Sequence, residues 1–225
     1  MVRKRFRVVF LLAILLFVVL ILSVIIFTDS GTQSVLAPGV AEGDVFTYEV
    51  KGIWNSNDPD ATMSDILPQL NMTEWYRVTV TNVSGLEIST YNVWRFTNRT
   101  EFEEEGQVDI ETGIYSGGFW AIYAANLRAN DRIRPFGGTD QSTVNDTITK
   151  DYKSGVKRET NRLLLITQFY NVNDPTRTYD DYITINFDKQ TGILVELSNE
   201  KIYSNPEATE IILWKLTDSN VWAVA

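Results

Sequence analysis

Val8 to Phe27 is an unbroken apolar run in which Ser23 is the only polar residue. As a helix rising 1.5 Å per residue it spans about 30 Å, the thickness of a bilayer's hydrocarbon core. A helix apolar on every side has few places to go in a soluble domain. Arg3, Lys4, Arg5 and Arg7 stand directly before it, and such a basic flank stays in the cytoplasm. The expectation is a cytoplasmic flank at 1–7, a transmembrane signal-anchor helix at 8–27, and everything later outside the cell. A cleaved signal has a shorter apolar core and a small-residue cleavage site. The nearest such site, Val35-Leu36-Ala37, is followed by Pro38, so a retained anchor is expected. No second apolar stretch of that length follows, so attachment is expected to rest on this helix alone.

Residues 28–42 are small and polar and read as a linker. From Gly43 to the end the chain is expected to form one β-rich extracytoplasmic domain. Phe46, Tyr48 and Val50 alternate with Thr47, Glu49 and Lys51, and Tyr76, Val78 and Val80 with Arg77, Thr79 and Thr81. That period of two marks half-buried strands. Val83-Ser84-Gly85 reads as a hairpin turn. Five later segments rich in Ile, Val, Thr and aromatics predict an antiparallel meander. The run Arg162-Leu163-Leu164-Leu165-Ile166 suggests a strand covered on both faces. Trp120, Tyr123, Ala124 and Leu127 fall at i, i+3, i+4 and i+7 and predict a short amphipathic helix. A second short helix is expected over Ser64 to Leu70, with Ser64 as cap and Pro68 limiting its length. The fold class is thus mainly β (α+β), a curved antiparallel sheet with one or two short helices packed on it.

Composition narrows the chemistry. After residue 27 the chain holds 16 basic and 29 acidic residues, a balance of −13. Such a surface repels nucleic acid, so no nucleic-acid partner is expected. The chain has neither cysteine nor histidine. Disulfides, a cysteine-borne lipid anchor, thiolate nucleophiles, zinc–thiolate sites and Ser-His-Asp triads are therefore excluded. No cofactor is expected, and the balance tips away from an enzyme. A carboxylate-dependent hydrolase stays open, although no spacing among the acids singles out a pair.

Four motif classes offer candidate sites. Asn71, Asn82, Asn98 and Asn145 each begin an N-x-[ST] sequence and are candidate glycosylation acceptors. Asn55, Asn57, Asp58 and Asp60 present alternating oxygen ligands, as a cation loop does, but without the glycine and distal glutamate of an EF-hand. An Asx-rich turn explains them equally well. Trp54, Trp75, Trp94, Trp120, Tyr123 and Trp214 are candidates for the wall of a ligand cavity, or for plain core. Val108 to Gly113 and Phe187 to Gly192 share the turn pattern D-x-x-T-G.

The order of motifs carries a resemblance. G-D-x-F-x-Y-E-V (Gly43 to Val50) is followed by N-D-P-x-A-T (Asn57 to Thr62) and T-E-W-x-x-V-T-V-x-N-V-S-G (Thr73 to Gly85). V-D-x-E-T-G, A-A-N-L, T-I-T-K-x-Y, R-E-T-N (Arg158 to Asn161), F-D-K-Q-T-G-I-L-V-E-L-S and S-N-V-W (Ser219 to Trp222) come after. As a set they resemble a family of uncharacterised archaeal membrane-anchored cell-surface proteins, over nearly the whole external domain. Some members of that family resemble the sheet-around-helix lipoprotein carriers of the LolA/LppX type. The resemblance implies no catalytic residue. It implies a surface or envelope interaction module with a protein, glycan or lipid partner, or a carrier of an apolar ligand.

Overall fold

The computed structural model describes residues 35–137, 142–152, 154–170 and 178–224. The run expected to cross the membrane and residues 28–34 of the expected linker lie outside them. Among the described residues no helix is long and apolar enough to cross a membrane.

The period-two segments become strands. In chain order the elements are β1 (Val45–Asn55), α1 (Ile66–Asn71), β2 (Thr73–Ser84), β3 (Glu87–Phe96), β4 (Glu101–Asp109), β5 (Tyr115–Ser116), β6 (Asp146–Asp151), β7 (Lys157–Tyr170), β8 (Thr178–Asp188), β9 (Leu194–Ser204) and β10 (Glu207–Ser219). All ten strands join one sheet in the order β5-β4-β3-β2-β1-β10-β9-β8-β7-β6. Every neighbouring pair is antiparallel. Two meanders therefore run outward from a central seam where β1 pairs with β10.

The turns follow from their residues. Gly85 takes φ 63° between β2 and β3, a conformation nearly closed to residues with a Cβ. Both D-x-x-T-G motifs fold alike. Asp109 Oδ1 accepts the amides of Glu111 and Thr112, and Asp188 Oδ1 accepts the amide and hydroxyl of Thr191. Gly113 and Gly192 close the two turns at φ 76° and 73°.

One face of the sheet carries the core. Phe46, Tyr48 and Val50 of β1, Tyr76, Val78 and Val80 of β2, and Leu216 of β10 are buried. What covers them is an extended strap, not the helix expected over Trp120 to Leu127. The strap belongs to the connection from β5 at one edge of the sheet to β6 at the other. Its backbone pairs with remote partners: Tyr123 N–H donates to Gly192 C=O, Leu194 N–H to Ala121 C=O, and Ala125 N–H to Ala37 C=O. Those bonds replace a helical ladder. The residues from Ala121 to Ala125 are buried without a break, whereas an amphipathic helix would bury one stripe. The buried Arg134 guanidinium stiffens the strap, donating to the carbonyls of Ile110 and Ile122.

The second expected helix exists as α1, a six-residue helix with Leu67 and Leu70 buried, but its N-cap position is Asp65 and not the expected Ser64. It lies beside β1 where β2 has already left that strand, since β1 and β2 pair only over Val45–Tyr48. Asn71 replaces the missing neighbour. Its Oδ1 accepts the Gly52 N–H at 2.9 Å and its Nδ2 donates to the Gly52 C=O at 2.8 Å. Leu67 fills the space left by glycine, and a Cβ on Gly52 would meet it at 2.8 Å.

The run around Leu164 departs from expectation. Leu163 is buried, but Leu164 and Ile166 are 43% and 73% exposed. β7 is next to the sheet's edge and is covered on one face only. Several contacts join strands that are not neighbours. Trp94 of β3 and Trp214 of β10 stand three strand positions apart, roughly 14 Å in a flat sheet, yet their ring centres lie 5.5 Å apart. Tyr48 of β1 donates its hydroxyl to the Leu194 carbonyl of β9 at 2.9 Å.

Candidate functional site: an acidic aromatic pocket

The strap covers only one end of the inner face. Toward the other end the same strand phase continues with different chemistry. Along β10, Trp214 and Ile212 give way to Glu210 and Ala208; along β9, Leu197 gives way to Asn199, Lys201 and Tyr203; along β8, Ile185 and Ile183 give way to Asp181 and Tyr179. Cross-strand register sets Tyr179 opposite both Tyr203 and Phe169, and Glu210 opposite both Trp54 and Lys201.

These strand ends and the loop before α1 enclose a pocket of about 720 Å³. Its walls are aromatic. Phe169 stacks on Tyr179 at 4.9 Å, Tyr179 meets Tyr203 at 5.1 Å and 44°, and Trp54 meets Tyr203 at 6.5 Å and 54°. The latter two angles make the wall faceted, not flat. Ala208, between Tyr203 and the end of β1, leaves room that a larger side chain would take. The polar lining is acidic: Asp60 and Asp65 from the loop, Glu210 from β10, and no lysine or arginine among the described lining residues.

Glu210 is the unusual residue. It is 2% exposed. Its Oε1 lies 3.8 Å from Lys201 Nζ, and its Oε2 is buried without a hydrogen-bond partner. A buried acceptor without a donor is costly, by roughly 1–3 kcal/mol and more when charged, and such groups are few in folded proteins. Nearby, Asn199 donates to the Asp181 carboxylate, and Lys201 Nζ stands 5.8 Å from the Tyr179 ring centre. Burial, then the charge of Glu210, then Tyr179 and Asp181, push the Tyr203 phenol up to about 12.

The aromatic candidates separate in space. Only Trp54 lines this pocket. Trp94, Trp120 and Trp214 border a smaller cavity of about 170 Å³ under the strap, together with Tyr76 and Phe119, which pack against Trp214. Tyr123 is buried against Phe187 and beneath Arg134. Trp75 packs under Arg77 at 4.4 Å, away from both cavities. Asn55 ends β1, and Asn57, Asp58 and Asp60 follow it in the loop. There Asp58 Oδ1 accepts the Asp60 amide at 2.9 Å, and Ser56 accepts the Asp58 amide and donates to Glu207 C=O. Among the described residues no three acids converge as metal ligands do.

The four sequon asparagines also differ. Asn71 uses both amide atoms on Gly52. Asn145 Oδ1 accepts the Leu164 amide, while the Thr147 hydroxyl of its sequon donates elsewhere, to Asn161. Asn82 lies exposed near the end of β2. Asn98, in the exposed turn after β3, has its Oδ1 held by the amide and hydroxyl of Thr100, at 2.9 and 2.7 Å. That geometry fixes the carboxamide and leaves its nitrogen toward solvent.

Glu210, Asp181 and Asn199 were missed by sequence reasoning. The signal was available: each is a polar residue in the apolar phase of its strand, as in Ala208-x-Glu210-x-Ile212-x-Trp214. Compared with known proteins, the chain matches no protein-family model and no curated protein sequence.

Proposed function

We propose that this chain is a membrane-anchored, extracytoplasmic binding module without catalytic activity, and that its ligand occupies the acidic aromatic pocket at the uncovered end of the sheet. The observation that carries this reading is the buried, unpartnered Glu210 Oε2 at a pocket walled by Trp54, Tyr179 and Tyr203. Other buried polar atoms of the domain also lack a partner, but Glu210 Oε2 is the one carboxylate oxygen among them, and it borders a pocket. A sheet curved around its inner face fits the cross-sheet contacts of Trp94 with Trp214 and would give the pocket its concavity. The apolar run at 8–27 supports anchoring with the domain outside the cell. The order of surface-protein motifs supports an envelope role, and Asn98 is the best-placed glycan acceptor.

Transport of a bulky apolar ligand has less support, because the space under the strap is largely occupied by Tyr48, Tyr76, Phe119 and Trp214. The test is a thermal-shift screen of the full chain in detergent against cationic, neutral polar, glycan and fatty-acid panels. At least one compound should stabilise the wild type and not Trp54→Ala. A ligand at 100 times its Kd adds about 2.7 kcal/mol, a shift well within detection. A screen in which no compound distinguishes the two proteins would overturn the reading.

A further inference from the structure

We propose that the pocket is built for a protonated alkylamine, an extended diamine or polyamine, whose leading ammonium donates to Glu210 Oε2. This rests on the pocket being the ligand site. Four observations lead to the ligand class. The first is the orphaned oxygen itself: it is an acceptor, so the occupant must bring a donor to it. A neutral hydroxyl could donate, but among the described residues three lining carboxylates and no lining base give a field that favours positive charge.

The second is the faceted wall. Rings inclined at 44° and 54° offer several separate faces along the wall, and a cation needs only one of them. A sugar stacked on a platform needs a broad flat face. Lys201 already holds its ammonium beside the Tyr179 ring, so this wall tolerates a cation.

The third is the spread of the acids. Glu210 is buried on β10, while Asp60 and the exposed Asp65 sit on the loop before α1. They do not converge on one point as a metal site would, among the described residues. Separated carboxylates suit charges separated along a chain, with methylenes between them packed on Trp54 and Tyr203. The fourth is charge bookkeeping around the buried end. Lys201 serves Glu210 Oε1 at long range, and Asp181 adds a further buried carboxylate held by Asn199. Among the described residues one lysine does not balance these acids, and an incoming ammonium would.

Isothermal titration calorimetry on the full chain in detergent tests this, with putrescine as probe and 1,4-butanediol and tetramethylammonium as controls. Putrescine should bind saturably and more weakly as salt is raised. Butanediol, which lacks the charge, and tetramethylammonium, which lacks the donor, should bind at least tenfold more weakly. Glu210→Gln should weaken putrescine at least tenfold while keeping the wild-type near-ultraviolet circular dichroism. The exposed Asp65→Asn, which leaves the buried end untouched, should weaken it two- to fivefold. Equal binding of butanediol, or no effect of either variant on putrescine affinity, overturns the ligand class. If putrescine fails while a neutral compound binds and Trp54→Ala abolishes it, the class is wrong and the pocket assignment survives. If putrescine binds equally well to Trp54→Ala and Glu210→Gln, the pocket assignment falls with it.

Discussion

At the scale of single residues, the most consequential side chain outside the pocket is Asp188. Its Oδ1 organises the turn at Thr191, and both oxygens take Arg158 in a two-pronged pair at 2.6 and 2.9 Å. Asp188 is fully buried, and Arg158 also lies over Trp222 at 4.3 Å. Removing one partner of such a pair leaves a buried charge alone, so Asp188→Ala should destabilise by about 3–5 kcal/mol, read as a lowered denaturation midpoint. The equivalent Asp109 is only half-buried and has no ion-pair partner among the described residues, so Asp109→Ala should cost only about 1 kcal/mol, as an ordinary cap does. Asn98 gives a different kind of prediction. Glycopeptide mass spectrometry of protein from its native host should find sugar on Asn98 and none on Asn71, and Asn98→Gln should remove it. A bare Asn98 beside a modified Asn71 would contradict the argument from the amide bonds. Of these residues the sequence announced the sequons and the turn motif. It did not show that one Asp of the matching pair would be buried and charged-paired, because Arg158 lies thirty positions away.

At the scale of elements, the strap is the lesson. The strands were legible because alternation between apolar and polar residues survives any tertiary context that leaves one face open. The strap was not, because Trp120, Tyr123, Ala124 and Leu127 have helical spacing while Ala121, Ile122 and Ala125 fill the gaps with apolar residues. A run that is apolar throughout satisfies several periodicities, and the partners that decide between them are Gly192, Ala37 and Lys189. Two glycines measure what the strap demands. Gly85 and Gly192 both have positive φ, but nothing lies within 4 Å of a Cβ on Gly85, and Tyr123 O would lie 2.0 Å from one on Gly192. Gly85→Ala should cost about 1–2 kcal/mol. Gly192→Ala should cost that plus roughly 1–3 kcal/mol for displacing the strap. Urea denaturation of both variants gives the comparison, and equal costs would mean that the strap yields freely. On the open face of β7, Ile166→Thr should change stability by no more than about 0.5 kcal/mol, since Ile166 is already exposed.

For the whole molecule, a pH response is expected on the alkaline side. Histidine is absent, so no imidazole titrates near neutrality. Four buried or half-buried tyrosines dominate the alkaline side. Burial raises Tyr48 and Tyr76, with neighbouring tyrosines and Glu104 adding to it. Burial first and Asp188 second bring Tyr152 to about 12, and Tyr203 reaches about 12 as well. A phenol whose folded pKa is raised keeps its proton where the unfolded chain has lost it. The associated stability is complete below pH about 10 and is lost as pH rises through about 12. Unfolding monitored by circular dichroism should therefore coincide with the appearance of tyrosinate absorbance. Early, stepwise tyrosinate formation in a still-folded protein would count against this burial.

The central seam also dictates a timetable. Asn220 bonds the backbone of Gly43, 177 residues earlier, and β1 has no partner on that side until β10 arrives. At synthesis rates of roughly 5–20 residues per second, the gap is roughly 9–35 s. During that interval the first meander stands half-built, with the bonding edge of β1 open beside its apolar face. The last strand to emerge closes the middle of the sheet, so a chain interrupted shortly before its end leaves a split domain with two open inner edges. Such an intermediate is an invitation to pair with a neighbour, and whatever attends this chain during synthesis must shield it until Ser219 has emerged.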